Sequence, residues 1–181
     1  MDEQEGVGEF IDESIRELES KGEPRIFDED MLREPVVVLG PREPVVVGTQ
    51  TPVFEAIAIM REKRIGCVLV TRGSKLKGIF TERDVLTQLV GLGAEVGKTP
   101  VRKLMTSNPE CLRPTDSIAY ALNKMSLGDY RHIPLVDSSE TPVGIVSVKD
   151  IVNYLVRFFP KSIMNLPTLP RGNYTQEREG A

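Results

Sequence analysis

One sequence pattern occurs twice and decides the fold. It reads Gly-Ile-Phe-Thr-Glu-Arg-Asp at residues 78–84 and Gly-Ile-Val-Ser-Val-Lys-Asp at residues 144–150. The apolar residues after each glycine are typical of a strand, and the Thr or Ser that follows is a favourable N-cap for a helix. We therefore predict that each copy joins the end of a strand to the start of a helix.

The repeat extends toward the N-terminus of each copy. Residues 53, 56, 57 and 60 are apolar and recur 65 positions later, with the spacing of an amphipathic helix. The two sets are Val53, Ala56, Ile57 and Met60, and Ile118, Ala121, Leu122 and Met125. We place a one-residue insertion near Gly128-Asp129, which aligns the strand at 66–70 with 132–136. Each copy then reads strand, helix, strand, turn, strand, helix.

Composition excludes several classes of protein. The 181 residues are 40% apolar and 28% charged, which is typical of a globular chain with a core rather than of a disordered one. One histidine and two cysteines, Cys67 and Cys111, are too few for a zinc or iron–sulfur site, and Cys67 lies in an apolar run that predicts burial. No apolar run approaches the ~20 residues of a membrane span, and the N-terminus is acidic, so we expect a cytoplasmic protein without a membrane segment.

Charge is distributed unevenly along the chain. Residues 1–30 contain 12 acidic and three basic side chains, whereas residues 31–181 contain 15 acidic and 20 basic ones. The excess of five bases over 151 residues is too dilute for the basic surface of a nucleic-acid-binding protein. It could still favour a small anion.

The repeated pattern carries chemistry suited to a nucleotide. A carboxylate three residues after a hydroxyl can accept hydrogen bonds from a ribose diol, while the hydroxyl, the free N–H groups of the helix start, and Arg83 or Lys149 suit a phosphate. An alternative interpretation is that Thr81 with Asp84, and Ser147 with Asp150, are capping boxes alone. Recurrence of the whole pattern favours ligand binding.

Together these features resemble a tandem pair of cystathionine-β-synthase-type (CBS) domains. The resemblance covers about residues 36–157 and includes Arg-His-Ile-Pro-Leu-Val at 131–136. It implies an α/β (α+β) fold of two βαββα repeats with pseudo-twofold symmetry, and a homodimer. It also implies clefts for AMP, ADP or ATP, with S-adenosylmethionine or an NAD-type ligand as alternatives, and a regulated protein whose identity the sequence does not give.

The resemblance also assigns site residues, with each cleft built from both repeats. The cleft of Thr81 and Asp84 is expected to draw phosphate contacts from Arg131, His132 and Lys149, with Arg113 to Thr115 near the base. The cleft of Ser147 and Asp150 is expected to use Arg83 and Thr49 to Thr51, with Arg64 as a further candidate. Since the alignment places Gly66 opposite His132, the first cleft is expected to be better supplied with positive charge. If His132 contacts phosphate, binding should strengthen as pH falls through about 6.5.

The expected organisation has four parts. They are an acidic extension with a short helix at 1–35, a first repeat at 36–91, a second at 101–158, and a proline-rich irregular tail at 159–181. The sequence contains no GxxxxGK, no GxGxxG after a strand and no metal-ligand cluster, so no required cofactor and no catalysis are expected. We expect a regulatory adenine-nucleotide sensor; the alternative is a structural or interaction module with empty clefts.

Overall fold

The structure, a computed structural model, describes residues 29–89 and 97–158. The predicted helix at 8–20 and the tail from residue 159 lie outside these ranges. The elements in chain order are α1 (Glu29–Arg33), a 3-10 helix (Val36–Leu39), β1 (Val46–Gly48), α2 (Val53–Glu62), β2 (Cys67–Arg72), β3 (Lys75–Thr81), α3 (Glu82–Gln88), a second 3-10 helix (Val101–Lys103), β4 (Thr106–Ser107), α4 (Ile118–Gly128), β5 (His132–Val136), β6 (Pro142–Ser147) and α5 (Val148–Val156).

The two repeats have the same internal order, which confirms the α/β prediction. In the first, β2 pairs in parallel with β1 and antiparallel with β3. In the second, β5 pairs antiparallel with β6, and Leu112 forms a parallel bridge to Leu135 where the first repeat has β1 beside β2. Helix α2 connects β1 to β2, and helix α4 lies in the equivalent place between Leu112 and β5.

The predicted apolar stripes face the core. Three residues of α2 are buried at a spacing that α4 repeats, and these are Val53, Ala56 and Met60, and Ile118, Ala121 and Met125. The stripe of α2 packs with Val68 and Phe80 of the sheet. Burial of these side chains removes apolar surface from water and fixes the helix against the strands.

Each repeat contributes its opening segment to the other repeat. Strand β4 opens the second repeat and pairs with β3 of the first, where Ile79 lies opposite Thr106. In the opposite direction, Arg42 bridges Ile145 of β6, with backbone N···O distances of 3.3 and 3.1 Å. Gly78, the glycine of the first repeated pattern, permits the close pairing of β3 with β4. A Cβ on Gly78 would lie 2.9 Å from the Thr106 carbonyl oxygen.

Strand register relocates the inserted residue of the second repeat. Val70 pairs with Gly78 and Leu135 pairs with Gly144, so β2 corresponds to β5 at an offset of 65, whereas β3 corresponds to β6 at an offset of 66. The extra residue therefore lies in the turn between β5 and β6, and the predicted insertion near Gly128-Asp129 is wrong. Gly66 and Cys67 correspond to Arg131 and His132, rather than Gly66 to His132.

Candidate ligand clefts

The hydroxyl and carboxylate of each repeated pattern form a capping box. Thr81 is the N-cap of α3, as predicted, and its N–H and hydroxyl both donate to Asp84 Oδ2 at 2.8 Å. Ser147 N–H and hydroxyl donate to Asp150 Oδ2 at 2.7 and 2.6 Å. The capping interpretation is therefore realised in both repeats, and any ligand has to be accommodated beside it.

Most of the N–H groups at these two helix starts are already bonded. Glu82 N–H donates to the Gly66 carbonyl and Val148 N–H to the Arg131 carbonyl, each at 3.0 Å. Asp84 N–H donates to Thr81 Oγ1 at 3.3 Å, and the second repeat has the same bond. The expectation that the helix-start N–H groups are free for an anion is wrong for these positions, so side-chain cations have to supply most of the attraction for a phosphate.

Each carboxylate keeps a second oxygen outside the capping box. Asp84 and Asp150 are buried, with 7% and 9% of their surface exposed, yet each lines a cleft. Asp84 Oδ1 accepts one bond from Gln88 Nε2 at 3.1 Å, and Asp150 Oδ1 lies 3.6 Å from the Arg42 guanidinium. Because a carboxylate oxygen accepts two hydrogen bonds, both retain capacity toward a diol.

The first cleft, here called the Asp84 cleft, has a volume of about 380 Å³. It lies between the end of the first repeat and the opening of the second. Its lining consists of Gly66, Ile79, Thr81, Glu82, Arg83, Asp84, Thr106, Asn108, Pro109, Glu110, Gly128, Asp129, Tyr130, Arg131 and His132.

The second, the Asp150 cleft, has a volume of about 340 Å³. It lies between the end of the second repeat and the opening of the first. Its lining consists of Arg42, Glu43, Val45, Arg64, Ile65, Gly66, Cys67, Leu69, Glu82, Arg131, His132, Ile145, Ser147, Val148, Lys149 and Asp150. Each cleft thus draws on both repeats, and Gly66, Glu82, Arg131 and His132 form a wall common to both.

Two basic residues each line the cleft opposite to the one predicted for them. Lys149 lines the Asp150 cleft and Arg83 the Asp84 cleft, each opposite to its predicted assignment. Each basic residue directly precedes the buried aspartate in its own helix. It therefore lies at the cleft of that aspartate rather than at the other cleft. Arg64 lines the Asp150 cleft, as the sequence analysis allowed.

Four predicted site residues line neither cleft. Thr49 and Thr51 precede α2, where their carbonyls accept bonds from Arg102 and Val101 at 3.4 and 2.8 Å. Arg113 is held in the turn before α4 by Asp116, whose Oδ2 accepts its N–H at 2.7 Å. Thr115 belongs to the same turn. Their contact with a bound ligand stays a prediction.

Charge in the clefts is opposite to the expected ranking. The Asp84 cleft has four carboxylates against two guanidinium groups: Glu82, Asp84, Glu110 and Asp129, and Arg83 and Arg131. The Asp150 cleft has four cations against three carboxylates: Arg42, Arg64, Arg131 and Lys149, and Glu43, Glu82 and Asp150. The prediction that the first cleft is better supplied with positive charge is therefore wrong.

Ion pairs involve several of these charges, and one of them joins Arg42 to Asp150 at 3.6 Å. Arg83 donates to the carbonyl and carboxylate of Asp129, at 2.7 and 3.0 Å. Glu110 accepts a bond from Lys124 at 2.7 Å. Arg42, Glu82 and Asp129 were missed by the sequence analysis; carrying the offset of 65 one residue beyond α4 would have matched Asp129 to Arg64.

His132 belongs to the common wall of the clefts. Its ring lies beside Gly66, where an added Cβ would be 3.2 Å from Cε1. Burial lowers the pKa of His132, and Arg131 acts in the same direction, whereas Glu82 and Asp150 raise it. The neutral imidazole therefore predominates at pH 7, and His132 contributes shape and hydrogen bonding rather than a full charge.

Cys67 is an ordinary core residue, whereas Cys111 is half-buried. Cys67 is buried, as predicted. Its burial, and to a lesser degree the negative charge of Glu82, raise its pKa to about 12.

Within residues 29–89 and 97–158, no group of His, Cys, Asp or Glu side chains is arranged to hold a metal ion. No helix in the same ranges is long and apolar enough to cross a bilayer.

Curated relatives contain the same domain. A CBS domain-containing protein of Arabidopsis thaliana, CBSCBSPB3, is 32% identical over 117 residues, which are 65% of this chain and 21% of that protein. The Bacillus subtilis CBS domain-containing protein YhcV is 31% identical over 108 residues, 58% of this chain and 76% of that protein. The chain spans only 14% and 21% of the fission-yeast and Arabidopsis relatives that it matches.

Solved structures share the fold. A CBS-domain containing protein from Agrobacterium tumefaciens is 29% identical, with a TM-score of 0.61, and the match covers 66% of this chain and 95% of that one. A CBS domain protein of Pyrobaculum aerophilum, solved with AMP, is 23% identical, with a TM-score of 0.59 and coverage of 64% and 88%. A CBS domain pair solved with 5′-methylthioadenosine and S-adenosyl-L-methionine is 24% identical, with a TM-score of 0.60 and coverage of 67% and 98%. At these identities the last two show likeness of fold alone.

The family model describes most of the chain. The CBS domain model matches residues 29–91 and 101–157, which are the two repeats seen in the structure. The same two segments carry the capping boxes and both clefts. This chain belongs to the CBS-domain family, as a tandem pair.

Proposed function

We propose that this CBS pair is a regulatory module that binds adenine nucleosides or nucleotides and acts through binding rather than catalysis. The observation that carries the proposal is a buried carboxylate, Asp84 or Asp150, at each of two equivalent clefts. A buried charge is costly unless it is satisfied, and the capping box uses one oxygen of each group. The other oxygen of each group is the proposed acceptor for a ribose diol.

Cleft size supports a ligand of this class. Volumes of about 380 and 340 Å³ lie within the ~300–1,000 Å³ of typical small-molecule pockets. AMP, ADP or ATP are the proposed ligands, and S-adenosylmethionine or an NAD-type ligand are alternatives. Likeness of fold to CBS pairs that were solved with AMP, or with 5′-methylthioadenosine and S-adenosyl-L-methionine, is compatible with this choice.

Regulation follows from the way the clefts are built. Each cleft joins the last helix of one repeat to the opening segment of the other, as Asp150 and Arg42 illustrate. A ligand that contacts both sides stabilises one relative arrangement of the repeats, in proportion to its differential affinity for the two states. We propose that an unidentified partner protein distinguishes the two arrangements of the repeats. The segments of this chain at 1–35 and 159–181 take part in that recognition. A cytoplasmic location and a homodimer are part of the proposal.

The test substitutes each carboxylate by an amide of the same shape. Asp84→Asn and Asp150→Asn retain an amide oxygen as acceptor for the cap N–H, while the second oxygen, proposed to accept from the diol, becomes an NH2 group that only donates. Calorimetric titration of adenosine, AMP, ADP, ATP, S-adenosylmethionine and NADH is expected to show binding to the parent protein. Binding should fall about tenfold or more in the variant of the cleft concerned.

A matched control tests whether any loss is specific. Asp137 is a turn carboxylate whose Oδ1 accepts N–H bonds from Ser139 and Thr141, at 2.8 and 2.9 Å, and it lines neither cleft. Asp137→Asn should bind as the parent does. Failure of the parent to bind any of these compounds, or equal loss in all three variants, would contradict the proposal.

A second candidate function is an interaction module, and it rests on exposed apolar residues. Leu86 of α3 and Val152 of α5 occupy equivalent positions and are 71% and 48% exposed. Apolar residues exposed at matching positions are typical of a surface that another chain covers. If sedimentation shows a dimer that Leu86→Lys dissociates, while no adenine compound binds the parent, this second function replaces the first.

A further inference from the structure

We propose that the two clefts accept ligands of different charge. The Asp150 cleft accepts an adenine nucleotide with its phosphate. The Asp84 cleft accepts an adenosine compound whose 5′ substituent is uncharged or cationic. The inference rests on the proposed function and adds the assignment of a ligand class to each cleft.

The main evidence is one pair of equivalent residues with opposite charge. Arg64 and Asp129 follow α2 and α4 at an offset of 65, and both have left-handed backbone with φ of 50°. Arg64 lines the Asp150 cleft and Asp129 lines the Asp84 cleft. The same place in the fold therefore presents a guanidinium to one cleft and a carboxylate to the other.

One more equivalent pair changes in the same direction. Glu110 lines the Asp84 cleft where Val45 lines the Asp150 cleft, at an offset of 65. Lys124 compensates Glu110 in part, but the replacement adds no positive charge to the Asp84 cleft. Glu82, which begins α3 where Val148 begins α5, lines both clefts and does not distinguish them.

The repeated pattern has a basic residue before its aspartate, and the surroundings of that residue differ between the two repeats. Arg83 and Lys149 precede the two buried aspartates, but Arg83 is paired with Asp129 at 3.0 Å. A phosphate in the Asp84 cleft would have to compete with that carboxylate for Arg83. In the Asp150 cleft the residue equivalent to Asp129 is Arg64, so no carboxylate at that position competes with a phosphate for Lys149.

Side-chain charge decides the outcome because the backbone cannot. The N–H groups of Glu82 and Val148 donate to carbonyls in the same way in both repeats, so the helix starts do not distinguish the clefts. Charges within a few ångströms of a phosphate act with little screening, whereas those beyond about 8–10 Å are screened at physiological salt. The lining residues are therefore the ones that set which ligand is accepted.

The experiment exchanges the two equivalent residues. Since Arg and Asp each already occupy this left-handed position in one repeat, Arg64→Asp and Asp129→Arg place a known residue type on a known backbone. AMP and adenosine are titrated calorimetrically into the full chain at 50 and 300 mM salt. Each variant is checked for folding by circular dichroism and thermal melting.

For the parent we expect one strong AMP site whose affinity falls with salt. Arg64→Asp should weaken AMP about tenfold or more and reduce adenosine affinity by a much smaller factor, as expected for a charge reversal near a phosphate. Asp129→Arg should add a second AMP site or strengthen a weak one about tenfold. Asp129→Asn, which also tolerates a positive φ, should give a smaller gain by releasing Arg83.

The outcomes separate this inference from the proposed function. Adenosine and AMP both failing to bind the parent would overturn the proposed function and this inference with it. AMP binding that Asp84→Asn abolishes and Asp150→Asn spares would overturn the inference alone. So would AMP affinities that neither Arg64→Asp nor Asp129→Arg changes, with adenosine bound normally.

Discussion

The guanidinium of Arg42 and the carboxylate of Asp150 lie 3.6 Å apart and come from opposite ends of the two repeats. Arg42 belongs to the opening segment of the first repeat, and its backbone is joined to β6 of the second at Ile145. Asp150 belongs to the first turn of α5 and is buried. A ligand held by this carboxylate therefore touches both repeats.

The first prediction concerns this pair. Arg42 has 59% of its side chain exposed, so the ion pair itself contributes only about 0–1 kcal/mol to the free energy of unfolding. Arg42→Gln should leave the urea midpoint nearly unchanged yet weaken AMP. A large loss of stability, measured by urea unfolding, would show that Arg42 is structural.

The second prediction concerns the capping boxes. Asp84→Ala removes the acceptor of the Thr81 N–H and hydroxyl and should lower the free energy of unfolding by about 1–3 kcal/mol. Thr81→Ala removes only the hydroxyl and should cost about 1 kcal/mol. Urea unfolding of both variants checks the order; a more harmful Thr81→Ala would contradict the assignment.

The third prediction compares the two pattern glycines. A Cβ on Gly78 would collide with Met105 Sδ and the Thr106 carbonyl oxygen, and the backbone oxygen cannot move without disturbing β4. Gly78→Ala should therefore lower the free energy of unfolding by about 1–3 kcal/mol. At Gly144 the nearest atoms, on Leu135 and Pro41, are 3.3 Å away, so Gly144→Ala serves as the milder control.

The same two variants give a second readout. Because β4 pairs with β3 through Thr106, Gly78→Ala should also increase hydrogen exchange at the amides of β4. Equal stability and equal exchange in the two alanine variants would show that the crossing at Gly78 tolerates a side chain.

The fourth prediction is a pH dependence of stability due to His132. Burial lowers its pKa in the folded protein below the ordinary 6.5, so the unfolded chain takes up the proton first. Its contribution to stability is present in full above pH 6.5 and is lost as pH falls toward the lower folded pKa. The slope is at most about 1.4 kcal/mol per pH unit.

His132→Gln provides the comparison. Urea unfolding between pH 7.5 and 5 should show a steeper decline for the parent than for the variant, because the carboxylates titrate in both. Parallel curves would mean that His132 has the same pKa in the folded and unfolded states.

Sequence reasoning was most successful where one residue acts within its own element. The stripe at Val53, Ala56 and Met60 depends on helix periodicity, and the N-cap role of Thr81 depends on the residues that follow it. Both can be derived from spacing, and the structure confirms both. The internal repeat predicted the order of elements in both copies, and the family resemblance added that each cleft is built from both repeats.

Errors arose where strand register or spatial neighbours decide. An apolar run can be shifted by one residue without losing its pattern, so the alignment of Gly66 with His132 was accepted although pairing relates Gly66 to Arg131. That single shift hid the equivalence of Arg64 and Asp129. The bonds of Glu82 N–H and Val148 N–H to carbonyls are likewise set by the fold and have no local sequence signal.

The exchange of opening segments makes the sheet of each repeat depend on the other repeat. Residues 36–91 produced alone would leave β3 without β4, which exposes an unpaired edge next to Gly78. A separate second repeat would lack the segment around Arg42 that joins β6. A chain that lost one repeat would therefore need a second copy of the chain to supply the missing segment.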